Sequence, residues 1–310
     1  MRIVFFGTPA LAVPSLEAVV ARHQVTALVC QPDRPQGRSK RPAPPPTKTW
    51  ALEHGLPVTQ PAKLNDGTFE AWLKAEAPEV CVVVAYGRIL KQPILDVPAH
   101  GFINVHASLL PRHRGASPIQ TAIRCGDEVT GVTIMRLDAG MDTGDRLLQE
   151  STAIAPDDTT ASLSDRLAVR GADLLLRGLD LIAAGEATFR PQDDSQATVT
   201  RLYEKADGQI RWGASAREIH NLVRAAIPWP VAHCRFQGEV CRIHRTEVVD
   251  EPVEVPPGTV ATVERDRVLV AAGAGQVAIL MLQAPGKRAM TTRDFLNGHA
   301  INPGDRFEDL

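Results

Sequence analysis

The sequence predicts an α/β protein with a doubly wound, mostly parallel sheet, followed by a small antiparallel barrel. Three observations lead there. The first half alternates short apolar runs with helical patterns, as a parallel sheet with helical crossovers requires. One of those runs, Glu79 to Ala85 (EVCVVVA), is apolar almost throughout, as a strand covered on both faces must be. Beyond about residue 207, short strand patterns divided by turn residues replace that alternation, which is the texture of a small barrel.

Each element follows from its residues. Arg2 to Phe6 is a short apolar strand closed by Gly7-Thr8-Pro9. Pro14 opens a helix running to about Arg22, because the first helical turn has no use for the amide hydrogen that proline lacks. Val25 to Cys30, Phe102 to His106 and Gly131 to Leu137 (GVTIMRL) are further strands, with Ser117 to Arg124 and the long Thr160 to Ala184 pattern among the helices. The polar stretch Glu186 to Ser195 breaks the helical period and reads as a linker. A short helix at Ala214 to Arg224 comes next. Five strands follow at Val231 to Phe236, Val240 to Thr246, Thr259 to Glu264, Val268 to Ala271 and Val277 to Leu282. The turns Gln237-Gly238 and Pro256-Pro257-Gly258 separate some of them. The 310 residues exceed what one hydrophobic core usually serves. The expected division is a Rossmann-like domain over residues 1–188, a linker over 189–206 and an OB-like domain over 207–310.

Composition narrows the function. There are 34 Lys and Arg against 36 Asp and Glu, a formal net charge of -2. The whole-chain basic excess of a nucleic-acid binder is therefore missing, and any RNA contact must be local. The five cysteines form no C-x-x-C pair and read as small buried apolar residues in a reducing compartment, so no zinc site is expected. No apolar run approaches the ~20 residues that span a bilayer, and the N-terminal run is too short for a signal peptide. A cytoplasmic monomer without a membrane partner is expected. Neither G-x-G-x-x-G nor a Walker A motif follows the first strand, so neither NAD nor ATP is expected.

One segment departs from the α/β rhythm. Gln31 to Pro46 (QPDRPQGRSKRPAPPP) is too rich in proline, glycine and charge to be helix or strand. It sets Arg34, Arg38, Lys40 and Arg41 against Asp33 alone. A loop this long is either functional or a solvated connection, and composition does not choose between them.

In a doubly wound sheet ligands lie at the carboxyl ends of the strands, here after Phe6, Ala85 and His106. Asn104 and His106 stand two apart on one strand and so share a face. An amide donor beside an imidazole suits acyl transfer, in which negative charge builds on a carbonyl oxygen and a proton must move. Taken alone, a strand-end Asn-x-His reads more readily as a structurally satisfied pair. After the strand GVTIMRL comes Asp138 to Asp145 (DAGMDTGD), either a solvated turn or a loop whose Asp142 meets His106. In that second case Asp142 holds the imidazole protonated or orders a water.

Taken together, Asn104-x-His106, the following SLLPRHRGASPIQ and GVTIMRLDAGMDTGD are similar to the 10-formyltetrahydrofolate-dependent formyltransferase family. The resemblance implies that Asn104, His106 and Asp142 form a catalytic set. It implies folate contacts at Ser108, Leu109, Leu110 and Pro111, and at Arg88, Ile89 and Leu90. It also implies 10-formyltetrahydrofolate as formyl donor, with no metal. The opening VFFGTPALAVPSLEAV, the basic loop, PWPVAHCRFQGEVCRI and LQAPGKRAM resemble family members that act on tRNA, so the likeness spans nearly the whole chain. The implied acceptor is the amino group of initiator methionyl-tRNA, engaged by Arg34, Arg38, Lys40 and Arg41. A sugar amine, glycinamide ribonucleotide or water are rival acceptors on the same module, and a non-catalytic folate- or RNA-binding module is a rival of another class. His113 departs from the family pattern, where tryptophan is common.

Overall fold

The computed structural model describes residues 1–35 and 41–310. Its contacts divide the chain into two compact units. Met1–Pro118, Val129–Ala153 and Ser164–Arg201 make one, and Ile119–Glu128, Ile154–Leu163 and Leu202–Leu310 make the other.

The first unit is built on a seven-stranded sheet. Across it the strands run Arg146–Ala153, Val129–Arg136, Phe102–His106, Val80–Val84, Arg2–Gly7, Gln24–Val29 and Val58–Thr59. The five from Phe102–His106 to Val58–Thr59 are parallel. Val80–Val84 is buried at every residue, as its apolar run requires. Beside it Phe6 meets the rings of Tyr86 at 5.4 Å and Phe102 at 5.2 Å, an aromatic cluster in the core against the sheet.

The antiparallel edge differs from the simple strand-helix alternation. Val129–Arg136 runs antiparallel to Phe102–His106 and pairs with Arg146–Ala153, a strand absent from the sequence reading. An antiparallel partner needs only a short connection, whereas a parallel one needs a crossover. That connection is the segment Leu137 to Asp145, which leaves the sheet beside Phe102, the first residue of its neighbour, where Leu137 N donates to Phe102 O at 2.8 Å, and from which Asp142 reaches back to Asn104 and His106. The unread strand, RLLQESTA, carries no apolar run because most of it is exposed or half-buried.

Two other segments are more ordered than the sequence suggests. Arg34–Pro35 and Pro42–Ala43 form a two-residue antiparallel ladder inside the proline-rich loop, which was expected to hold no strand. Proline is tolerated at such an edge because no further partner requires its missing amide hydrogen. In the segment expected as a linker, Arg190 exchanges backbone hydrogen bonds with Arg146, and Val199–Thr200 pairs with Arg114–Gly115.

In the second unit the strands Val260–Val263, Val268–Ala271, Gln276–Gln283, Glu239–Val249, Ala232–Phe236 and Phe307–Glu308 form an antiparallel sheet in that order. The sheet curls until its edges meet. Val260 N donates to Asp305 O and Phe307 N to Gly258 O, each at 2.8 Å. Closure removes the unpaired edges that an open sheet would present. Trp212, Phe236 and Phe307 lie in its core. The helix Ala216–Ala225 starts on a capping box, Ser215 and Glu218 each satisfying the other's backbone amide.

Candidate active site

Asn104 and His106 end their strand with inward side chains, 7% and 6% exposed. Asp142 turns toward both from the loop after Val129–Arg136. Its Oδ1 lies 3.5 Å from Asn104 Nδ2, and its Oδ2 lies 3.5 Å from His106 Nδ1. The tightest contact to this carboxylate comes from the backbone: Gly115 N donates to Oδ2 at 2.7 Å. His106 Nε2 lies 2.9 Å from the carbonyl oxygen of His113. Both ring nitrogens thus face oxygen atoms, one of a carbonyl and one of a carboxylate.

The backbone here is bent to this purpose. Asp142 has φ +54° and His113 has φ +59°, a region costly for residues other than glycine and most tolerable for short polar ones. Such positions persist where surrounding bonds over-determine them. At His113 the amide donates to Thr198 Oγ1 at 2.8 Å. Its contact to His106 is made by the main chain, so replacing the family's tryptophan leaves that bond in place. The acidic loop divides its roles. Asp138 closes the turn, accepting from Gly140 N at 3.0 Å and from Thr143 Oγ1 at 2.8 Å. Asp142 alone of these two carboxylates is directed at His106.

The segment after His106 is held by side chains that sequence reasoning missed. Thr133, the cross-strand partner of His106, donates its hydroxyl to Ser108 O at 2.7 Å and accepts from Leu110 N at 3.1 Å. Gln149 and Arg146, both on the unread strand, donate to Leu110 O at 2.9 and 3.0 Å. Only a reading that paired this strand with Val129–Arg136 would have found them.

The remaining expected contact residues fall into two groups. Ser108, Leu110, Pro111 and Leu90 are buried, and the Ser108 hydroxyl is spent on Arg112 O at 2.6 Å. Leu109 is half-buried and Ile89 is 80% exposed, a large apolar side chain on open surface. Arg88 donates to the carbonyls of Pro61 and Ala62 at 2.7 and 3.1 Å. Of the expected tRNA contacts, Arg34 and Arg41 are exposed, while Arg38 and Lys40 lie outside the described residues. Arg34 lines a cavity of about 230 Å³ with Thr8, Gln31, Pro32, Ala43, Pro45 and Pro46. The base of this loop is pinned: Lys48 Nζ reaches Asp33 at 2.8 Å, and Gln60 Nε2 donates to Asp33 Oδ1 at 2.8 Å and to Gln31 O at 2.7 Å.

The chain matches the formyl transferase family over residues 1–179 and the formyl transferase C-terminal domain over residues 203–300. It belongs to the formyl transferase family. Among its relatives in that family is a methionyl-tRNA formyltransferase from Methylococcus capsulatus, 48% identical over 97% of this chain and 98% of the relative. One of the same name from Acetivibrio thermocellus is 44% identical over 98% of this chain and 99% of the relative. The fold is shared more widely. An N-formyltransferase from Helicobacter canadensis, solved with folinic acid and dTDP-3-aminofucose, superposes with a TM-score of 0.70. It is 18% identical, over 92% of this chain and 99% of its own. As a formyl transferase, this chain carries no group of His, Cys, Asp and Glu arranged to hold a metal ion among the described residues. No helix among them is long and apolar enough to cross a membrane.

Proposed function

We propose that this formyl transferase moves the formyl group of 10-formyltetrahydrofolate to the α-amino group of initiator methionyl-tRNA. The observation that carries the acceptor is the near-complete, two-part likeness to relatives bearing that activity in their names. The convergence of Asn104, His106 and Asp142 at the sheet's carboxyl end supports the chemistry. In this reading residues 1–188 are the catalytic domain, 189–206 the linker and 207–310 the tRNA-binding domain, in a cytoplasmic monomer.

The residues fit a folate. Ile89 offers uncovered apolar surface for a flat ring, and Leu109 stands half-buried in the segment that follows His106. Bound folate supplies the formyl group on N10. Asn104 Nδ2 touches Asp142 only at the 3.5 Å limit, so it retains the capacity to donate to the formyl oxygen as negative charge gathers there. His106 Nδ1, also only 3.5 Å from Asp142, supplies a second donor, while the His113 carbonyl sets the ring at Nε2. Asp142 helps move a proton from the attacking amine to N10 as the bond from the formyl carbon to N10 breaks and tetrahydrofolate leaves. No covalent bond to the enzyme is required.

The deciding experiment supplies labelled formyl-folate with charged initiator tRNA, a dTDP-amino sugar, glycinamide ribonucleotide or water alone. Formyl-methionyl-tRNA should form at least 10³-fold faster than any rival product, a margin within what differential transition-state contacts supply. Preferential formylation of the sugar or the ribonucleotide would overturn the acceptor assignment.

A further inference from the structure

The loop that carries Asp142 is locked from a distant part of the chain. Gln192 lies in the segment expected to be a linker, and its amide sits half-buried behind that loop. Its Nε2 donates to Asp142 O at 2.7 Å and to Gly144 O at 2.8 Å. Its Oε1 accepts from Arg114 Nε at 3.0 Å and from Arg114 Nη2 at 2.9 Å. Arg114 is itself buried and fixed by Asp194 Oδ1 at 2.7 Å. The network leaves Gln192 one orientation. Turned over, its amide nitrogen would face guanidinium donors and its oxygen would face two carbonyls.

These contacts form a closed path. Arg114 precedes Gly115, whose amide holds the Asp142 carboxylate from the front. Gln192 is fastened to Arg114 and holds the Asp142 backbone from behind. The carboxylate has only long contacts to Asn104 and His106, so its place depends on this clamp and not on its partners. We propose that Gln192, seated on Arg114, is a positioning residue that sets the Asp142 carboxylate for formyl transfer. The inference rests on the catalytic reading of Asp142 given above. Misplacement of a reacting group by about 1 Å can lower rate by on the order of 10²-fold.

Three variants of the full chain test this. Gln192→Glu keeps the shape and the Arg114 contact but loses both donors, so it separates the amide hydrogens from mere bulk. Gln192→Ala and Arg114→Lys remove the clamp and its seat. Each should lower kcat for formyl-methionyl-tRNA by roughly 10–10²-fold while KM for folate and tRNA changes less than about twofold. Amide hydrogen exchange over residues 138–145 should quicken in each, with barrel exchange unchanged. Because Gln192 acts through Asp142, Gln192→Ala combined with Asp142→Asn should be no slower than Asp142→Asn alone. Wild-type kcat and exchange in Gln192→Glu, or losses that multiply in the double variant, would overturn the proposal. Should the wild-type chain formylate some other amine, the acceptor assignment fails, and the same comparison on that amine still decides the clamp.

Discussion

Gly115 accepts no side chain, and this makes it a sensitive probe of the site. Its φ is +105°, and a methyl group there would overlap the Thr200 carbonyl oxygen and press on Met141 Sδ. Gly115→Ala must therefore shift the amide that holds Asp142. We expect a stability loss of about 1–3 kcal/mol, visible in the urea midpoint, together with reduced turnover. A variant as stable and as active as wild type would remove Gly115 from the site. Asn104→Ala should lower kcat by about 10²–10³-fold, the usual effect of losing one oxyanion donor, with tRNA affinity unchanged in a filter-binding assay. What could be read at this scale followed the period of the chain. Asn104 and His106 share a strand face by arithmetic, and the structure puts both at its inner end. The contact of Asp142 with them depends on a hairpin turn that spacing does not encode. Gln192 left no sequence signal because it acts on backbone carbonyls, which any residue can present.

Regular elements with a strong period were legible almost to the residue, as in the helix Thr160–Ala184 and the strands Phe102–His106 and Val268–Ala271. The strand Arg146–Ala153 was not, because an edge strand half-open to solvent has no apolar run to betray it. The basic loop was read for its charge, whereas the structure adds an anchor at its base. Lys48 and then Gln60 hydrogen-bond Asp33 and hold its carboxyl below the ordinary value of 3.8. A carboxyl lowered on folding stabilises this arrangement fully above 3.8, and that stabilisation is lost as pH falls through the lower folded value. Asp33 should therefore titrate below 3.8 by NMR, and Lys48→Met should return it upward. The same variant should lower kcat/KM for methionyl-tRNA several-fold and leave folate binding intact, since charge-driven RNA contacts depend on where the loop presents its arginines. Unchanged tRNA kinetics at both low and high salt would show the anchor to be irrelevant to the acceptor.

At the scale of the whole molecule, the second unit is not simply the C-terminal third of the chain. It includes Ile119–Glu128 and Ile154–Leu163, which come from the stretch expected to belong to the first domain. The reason is visible in its hydrogen bonds. Arg124 Nη1 donates to Glu218 O and Thr160 Oγ1 to Ala225 O, each at 2.8 Å. Arg224 Nη1 donates to Asp158 O at 3.1 Å and to Ala155 O at 3.3 Å, and burial pulls the proton affinity of this guanidinium below its ordinary value. A fragment beginning at Leu202 keeps the barrel strands but loses those partners. The Ala225 carbonyl then loses its Thr160 donor and the Arg224 guanidinium loses two of its acceptors, keeping Asn221 Oδ1, at about 1–3 kcal/mol for each group that stays buried. Leu202–Leu310 alone should thus exchange its barrel amides faster than the same strands do in the full chain. Arg224→Met separates this cause from a general effect of truncation. In the fragment it removes a charge that has lost both carbonyl acceptors and keeps only Asn221 Oδ1, and should slow exchange; in the full chain it breaks satisfied bonds and should quicken it. The same direction of change in both contexts would mean that Arg224 and its carbonyl partners do not bind these segments into the second unit.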